Sequence, residues 1–311
     1  MKSNVRKWSK VVPGVLLVGS MVVFNTVLAL PGTPEPAHTQ QIKDALTAKA
    51  KQEAKKKRGN LNVDAVTAIK QVEQAASLLE SEKYDDALKE LKSADKKLET
   101  AMASDPSLKL IPVVQDVMTY DLMTSPKAVK DEVNTITEEL KSGNVQGARM
   151  RLDQLRSELI TKYVFLPVEI YPAAIKQAIK EIDAKQYQQA EESIGDAIHS
   201  LVEEVEAMPL PVALAQDAIL DAETKKSTDR DQAMWDLDYA HEQLLTAERL
   251  GYFYDDMDDY KAALQHIENL REAMGGKSEV DNLFTKAKNG VKQLVNKFST
   301  RHPAHPAASV K

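Results

Sequence analysis

From about residue 61 to residue 298, apolar positions recur three and four residues apart, the spacing that keeps one stripe on one side of a helix. The stretch after Pro172 shows it best. Ile175, Ala178, Ile179 and Ile182 mark one helix, and the polar "DAKQ" interrupts it. Tyr187, Ala190, Ile194, Ala197, Ile198, Leu201, Val202 and Val205 then mark a second. Near-copies of that second start occur as "EKYDDALKEL" from Glu82, "GNVQGARMRL" from Gly143, "KQYQQAEESI" from Lys185 and "DRDQAMWDLD" from Asp229. Aligned on Ala87, Ala148, Ala190 and Ala233, the last two intervals are 42 and 43 residues. The first is 61 and holds an insertion around residues 105–125. Each unit predicts a helix hairpin whose small alanine lets two helices approach closely. Such hairpins bury their apolar faces only by stacking or bundling.

Boundary residues agree. Ser125-Pro126 fits an N-cap followed by the first helical position, and Tyr171-Pro172 opens the third unit in a similar way. Gly143-Asn144 is a helix stop and turn. Three junctions share an apolar-Pro-Val phrase, "LIPVV" at 110–114, "FLPVE" at 165–169 and "PLPVA" at 209–213. Proline cannot continue a helix interior, so these read as ordered corners against the core. A last helix follows through Leu283, Phe284, Val291, Leu294, Val295 and Phe298. Good helix formers dominate the composition and no run reads convincingly as a strand. The predicted class is all-α: stacked or bundled helix hairpins with degenerate repeats of about 42 residues.

The ends differ from the middle. Lys2, Arg6, Lys7 and Lys10 precede the uncharged "VVPGVLLVGSMVVFNTVLAL", and Val27 and Ala29 supply an A-x-A-like cleavage site. Residues 1–29 read as a secretory signal peptide, with an uncleaved inner-membrane anchor facing the periplasm as the alternative. Residues 30–60 read as a Pro-rich linker and a basic helix end, "AKAKQEAKKKRGN". That basic run is either a solvated helix end or a patch for lipid heads or an acidic partner. Residues 61–298 form the hairpin domain, and 299–311 a tail expected to be disordered. The chain has no Cys, which removes disulfides, thiolate catalysis, Cys-based metal sites and a lipoprotein anchor. Its net charge of −6 becomes −10 once the leader's four cations are gone, which argues against nucleic acid as a partner.

With the leader, "YDDALKEL", "YQQAEESI", the corner "YVFLPVEIYP" and the late "LGYFYDDMDDY" on view, the chain resembles the YfdX family of exported bacterial proteins over roughly residues 60–275. Tetratricopeptide repeats are the nearest alternative, but their period of about 34 residues is shorter. The YfdX resemblance implies a helical periplasmic protein without an assigned reaction, associated with stress responses, notably to acid. It carries over no catalytic residues.

Searching for chemistry returns little. The histidines, His38, His199, His241, His266, His302 and His305, form no HExxH and no helical pair three or four apart. His302 and His305 read as either a loose metal grip or part of a solvated tail, and His199 with Glu203 reads as an i, i+4 pair that either holds a cation or answers pH, or is a plain surface pair. Glu203-Glu204 and Glu191-Glu192 read as solvated carboxylates, and no GxSxG, P-loop or Rossmann fingerprint occurs. The expectation is a protein without catalysis, cofactor or metal. The most unusual local chemistry joins Tyr252, Phe253, Tyr254 and Tyr260 to Asp255, Asp256, Asp258 and Asp259. One reading is a cation or partner site and a subunit interface, shared with the apolar-Pro corners. The other is a helix–helix turn whose tyrosines pack inward while the aspartates stay wet. "DDMDD" lacks the glycine and final Glu of an EF-hand loop.

Two functions follow as expectations. The first is a non-enzymatic periplasmic interaction protein of the stress response, acting by self-association or by binding other periplasmic proteins. The alternative is a small-molecule-binding helical bundle, its pocket lined by Met118, Met123, Met208 and Met234. Membrane contact is expected only if the leader stays uncleaved.

Overall fold

The computed structural model describes residues 37–122, 124–276 and 280–301, with the two-residue strands 26–27 and 305–306. The protein is mostly helical, as the periodicity predicts. The described residues contain eleven helices: α1 (Ala37–Arg58), α2 (Val63–Glu80), α3 (Tyr84–Ser104), α4 (Pro126–Lys141), α5 (Val145–Gln154), α6 (Ile170–Asp183), α7 (Tyr187–His199), α8 (Leu210–Lys225), α9 (Arg230–Arg249), α10 (Met257–Gly275) and α11 (Asp281–Arg301). No helix among them is long and apolar enough to cross a membrane. The predicted signal peptide and the end of the C-terminal tail lie outside the described residues, apart from the two short strands.

The structure corrects one expectation: it contains a sheet. Strands β1 (Thr26–Val27), β2 (Leu110–Asp121), β3 (Glu158–Pro167), β4 (Val202–Pro209) and β5 (His305–Pro306) lie in the order β1-β2-β3-β4-β5. Two of the three apolar-Pro-Val phrases are therefore strand ends, and one is a corner as expected. "LIPVV" begins β2, "FLPVE" ends β3, and "PLPVA" joins β4 to α8. α7 stops at His199, so Val202 and Val205 belong to β4 rather than to that helix. β3 is the middle strand, and Leu159, Ile160, Tyr163, Val164, Phe165 and Leu166 are all buried. A strand covered on both faces is a continuous apolar run without alternation, so periodicity alone does not reveal it.

The chain divides into two compact units. The first contains residues 61–114 and 165–202; the second contains 23–60, 115–164 and 203–311. In the first, α2 pairs with α3 and α6 with α7, while α3 packs on α6 and α2 on α7, closing a four-helix ring. Its core is a ladder of small and large side chains. Ala87, Leu91, Ala94, Leu98 and Ala101 of α3 are buried at alternating spacings of four and three. Ala190, Ile194 and Ala197 repeat the start of that ladder on α7. Tyr84 and Tyr187 head the two ladders and stack on each other, ring centroids 3.5 Å apart and 4° from parallel.

The second unit builds another ring in the same way. α8 pairs with α9, α10 with α11, α9 with α10 and α8 with α11. α1 packs on α8, and α4, which carries α5, packs on α9. Ala233, Leu237, Ala240, Leu244 and Ala247 of α9 are again buried at spacings of four and three. Phe284, Ala287 and Val291 on α11 place an aromatic residue three positions before a buried alanine, as in "YDDA" and "YQQA". Nothing else of the phrase survives in this hairpin, so the repeat leaves no mark there along the chain.

Hairpin turns explain why the phrase begins where it does. The residue two before α3, α7 and α5 takes left-handed backbone angles: φ is 58° at Glu82, 60° at Lys185 and 81° at Gly143. There the amides of Glu82 and Lys83 donate to the Leu79 and Leu78 carbonyls at 2.9 and 2.8 Å, and Lys185 and Gln186 repeat this on Ile182 and Glu181. This is the Schellman stop, which satisfies otherwise orphaned helix-end carbonyls. As read from sequence, Ser125 caps α4 by accepting from the Ala128 amide; beyond that reading, Asn144 caps α5 by accepting from the Gly147 amide. α6 begins earlier than Tyr171-Pro172 suggests, at Ile170.

Because only glycine takes these angles without strain, Glu82→Gly and Lys185→Gly should each raise the unfolding free energy by roughly 0.5–1 kcal/mol in urea melts. Gly143→Ala should lower it by about 1 kcal/mol. A Cβ there meets no atom within 4 Å, so the loss would report backbone strain alone. Equal stabilities for all three variants would contradict the left-handed turns.

Candidate functional site

The second unit holds an open groove of about 710 Å³. Its longest wall is one face of α1, where Leu46, Ala50, Ala54, Lys49, Glu53 and Lys57 fall three and four residues apart. Leu159, Thr161 and Tyr163 reach it from β3, two residues apart as one face of a strand requires. Met208 and Glu206 come from β4, Ala213 and Gln216 from α8, and Lys292, Val295 and Asn296 from α11.

Charge and polar contacts fix the end of α1 over this groove. The helix finishes in Lys55, Lys56, Lys57 and Arg58, cations that suit the negative end of its dipole. Gln115 of β2 donates from Nε2 to the Ala54 carbonyl at 3.0 Å and to the Gly59 carbonyl at 3.4 Å. The Arg58 guanidinium donates to Glu204 Oε2 at 2.5 Å, approaches Glu206 Oε1 at 4.0 Å and lies 5.5 Å from the Tyr163 ring centroid. Lys57 pairs with Glu206, and Lys49 with Asp217 at 2.7 Å. Burial first, then the Glu206 carboxylate, pushes the Tyr163 hydroxyl up to about 12. Of the two readings given to the basic run, the structure thus supplies an acidic partner inside the chain, on β4.

The segment from Tyr252 to Tyr260 connects α9 to α10. Phe253 and Tyr260 are buried and stack, centroids 4.9 Å apart. Tyr252 donates its hydroxyl to the Ser157 carbonyl at 2.9 Å and meets Phe298 edge-on at 6.0 Å. Asp256 is buried with Lys297 Nζ at 3.6 Å, and Asp259 also pairs with Lys297 and accepts from Gln293 at 3.0 Å. Tyr254 is 86% exposed, and Asp255 and Asp258 are exposed beside it. The structure therefore directs three of the four aromatics inward and leaves Tyr254 with two aspartates outside.

Other sequence candidates separate. His199 ends α7, whereas Glu203 lies on β4 and pairs with Lys162 at 2.7 Å, so the two are not an i, i+4 helical pair. Glu203 and Glu204 are both engaged by cations rather than simply solvated. His241 instead meets Glu268 at 3.3 Å, a pairing across helices that sequence spacing does not show. The described residues hold no group of three or more His, Asp or Glu placed to bind a metal ion. Of the four methionines, Met208 lines the groove; Met118 and Met234 do not, and Met123 lies outside the described residues. The groove is not visible along the chain, because its acidic wall, β4, continues the helical apolar spacing of α7.

These features define a mostly helical protein of bundled hairpins with a small sheet, whose second unit presents a groove. Residues 68–207 match the family model described as YfdX protein, so over that stretch the chain is similar to the YfdX family. A solved structure of Salmonella Typhi YfdX aligns at 15% identity over 48% of this chain and 93% of its own, with a TM-score of 0.34. A search of the curated proteins found no match.

Tyr163 and Tyr260 are both raised to about 12, against an ordinary tyrosine near 10. Above pH about 10 the unfolded chain releases these protons while the folded chain keeps them, so stability falls as pH rises toward 12. Tyrosinate absorbance should show a late-titrating class that Tyr163→Phe diminishes. A single transition near pH 10 with no loss of stability would contradict the burial of both hydroxyls.

Proposed function

We propose that the protein is a non-enzymatic interaction protein of the bacterial periplasm, serving the stress response by self-association or by binding other proteins. The observation that carries this reading is the α4–α5 hairpin. α5 buries Ala148 alone, while Val145, Met150 and Leu152 are 56%, 68% and 53% exposed, and Leu140 at the end of α4 is 50% exposed. Large apolar side chains gathered on one hairpin mark a surface for protein contact. The link to stress, and to acid in particular, rests on the family resemblance.

An electrostatic mechanism fits this surface. The net charge is −6 for the full chain, and −10 without residues 1–29, so copies repel near neutral pH. Acidification toward carboxylate pKa values of about 4 removes negative charge and lets the apolar hairpins meet. Light scattering of the chain lacking residues 1–29 should give a reversibly higher mass near pH 5 than at pH 7. Val145→Lys with Leu152→Lys should abolish the increase, and an unchanged mass at both pH values would end the electrostatic reading.

The groove of the second unit favours a second reading, small-molecule binding. Its volume of about 710 Å³ lies within the ordinary range of ligand sites, roughly 300–1,000 Å³.

A further inference from the structure

Resting on that second reading, we propose that the groove of the second unit binds a soluble single-chain amphiphilic anion, with an apolar tail and a carboxylate or sulfate head. The floor suits the tail. Leu46, Leu159, Met208 and Val295 line it, and three small residues, Ala50, Ala54 and Ala213, leave the space a larger side chain would fill. The rim suits an anionic head. Lys49, Lys57, Arg58 and Lys292 outnumber Glu53 and Glu206 on the lining, although the chain as a whole is acidic.

The disposition of the charges matters more than their number. Glu206 is engaged by Lys57, with Arg58 Nη2 at 4.0 Å, so its carboxylate is already answered. Glu53 lies four residues from Lys49 on one side and four from Lys57 on the other, the spacing at which side chains on a helix are neighbours. An entering cation would meet carboxylates already flanked by lysines. Lys292 is exposed on α11 and takes part in no ion pair among the described residues. Its ammonium is the group left to receive a carboxylate or sulfate, with the amide of Asn296 one turn further along the same helix. The apolar floor supplies affinity in proportion to the tail buried, and the lysine supplies the choice of sign.

Calorimetric titration of the chain lacking residues 1–29 with decanoate, decanol and decyltrimethylammonium tests this below the micelle threshold of each. The expected order is decanoate first, with binding that weakens as salt is raised while decanol does not respond. Lys292→Glu should weaken decanoate at least about tenfold and leave decanol unchanged, since a charge-assisted hydrogen bond is lost and repulsion added. Ala50→Phe should block both ligands by filling the floor. Lys292→Gln, which removes the charge alone, keeps the test decisive if the glutamate variant folds poorly. Decanol binding as tightly as decanoate would overturn the anion assignment and leave the small-molecule reading standing. No binding of any probe would overturn both. Sedimentation with phosphatidylglycerol vesicles, without uptake of free decanoate, would overturn the soluble ligand in favour of a lipid surface.

Discussion

Close approach of helices through buried alanines is the constraint on which the rest of the structure depends. On α3 and α9 an alanine and a leucine alternate every three to four residues, and the stripe is fully buried. The alternation follows the seam of a coiled coil, in which large side chains of one helix enter gaps beside small ones on the other. It lets chains poor in aromatic residues still reach the packing density of a protein interior. Replacing such an alanine by a larger residue separates two helices, whereas removing a leucine opens a cavity. Either change acts on a whole ring, because each ring helix packs against two neighbours.

The rings impose a requirement on the turns. A second helix must start at one rotational setting for its alanine to face the seam, and before α3, α5 and α7 a left-handed residue two positions earlier sets that angle. Glu82 and Lys185 accept an unfavourable backbone conformation for that purpose, where Gly143 does so without strain. The stacked Tyr84 and Tyr187 then occupy the space beside both turns. Local backbone chemistry and long-range packing thus specify the same register, which is how a degenerate phrase can recur without a shared function.

The sheet has a different physical basis. β3 lies between β2 and β4 and is buried along most of its length. In the second unit, one face of β3 and the acidic β4 become walls of the groove, and the cationic end of α1 closes over them. Half-exposed ion pairs of this kind contribute only about 0.2–1 kcal/mol each. Their value is orientation: the cations stand at a rim instead of dispersing into solvent. The family match covers residues 68–207, whereas most groove residues, from α1, α8 and α11, lie outside it.

Local pattern along the chain was enough to specify the helices, their hairpin pairing and four of the buried alanines, because a 3.6-residue period and helix-stop chemistry are local properties. The cap at Ser125 and the turn at Gly143-Asn144 were legible for the same reason. The inward packing of Phe253 and Tyr260 was one of two readings the residues allowed, and only their neighbours on α9 and α11 chose between them. The strands were not legible: a short apolar run such as "LITKYVFLP" looks alike in a buried strand and a buried helix. Misreading β4 as helix in turn hid Glu204 and Glu206 from Arg58 and Lys57. Tertiary structure alone decided the groove, since its walls come from segments as far apart as residues 46 and 296, and pairing over such distances leaves no periodic mark on the chain.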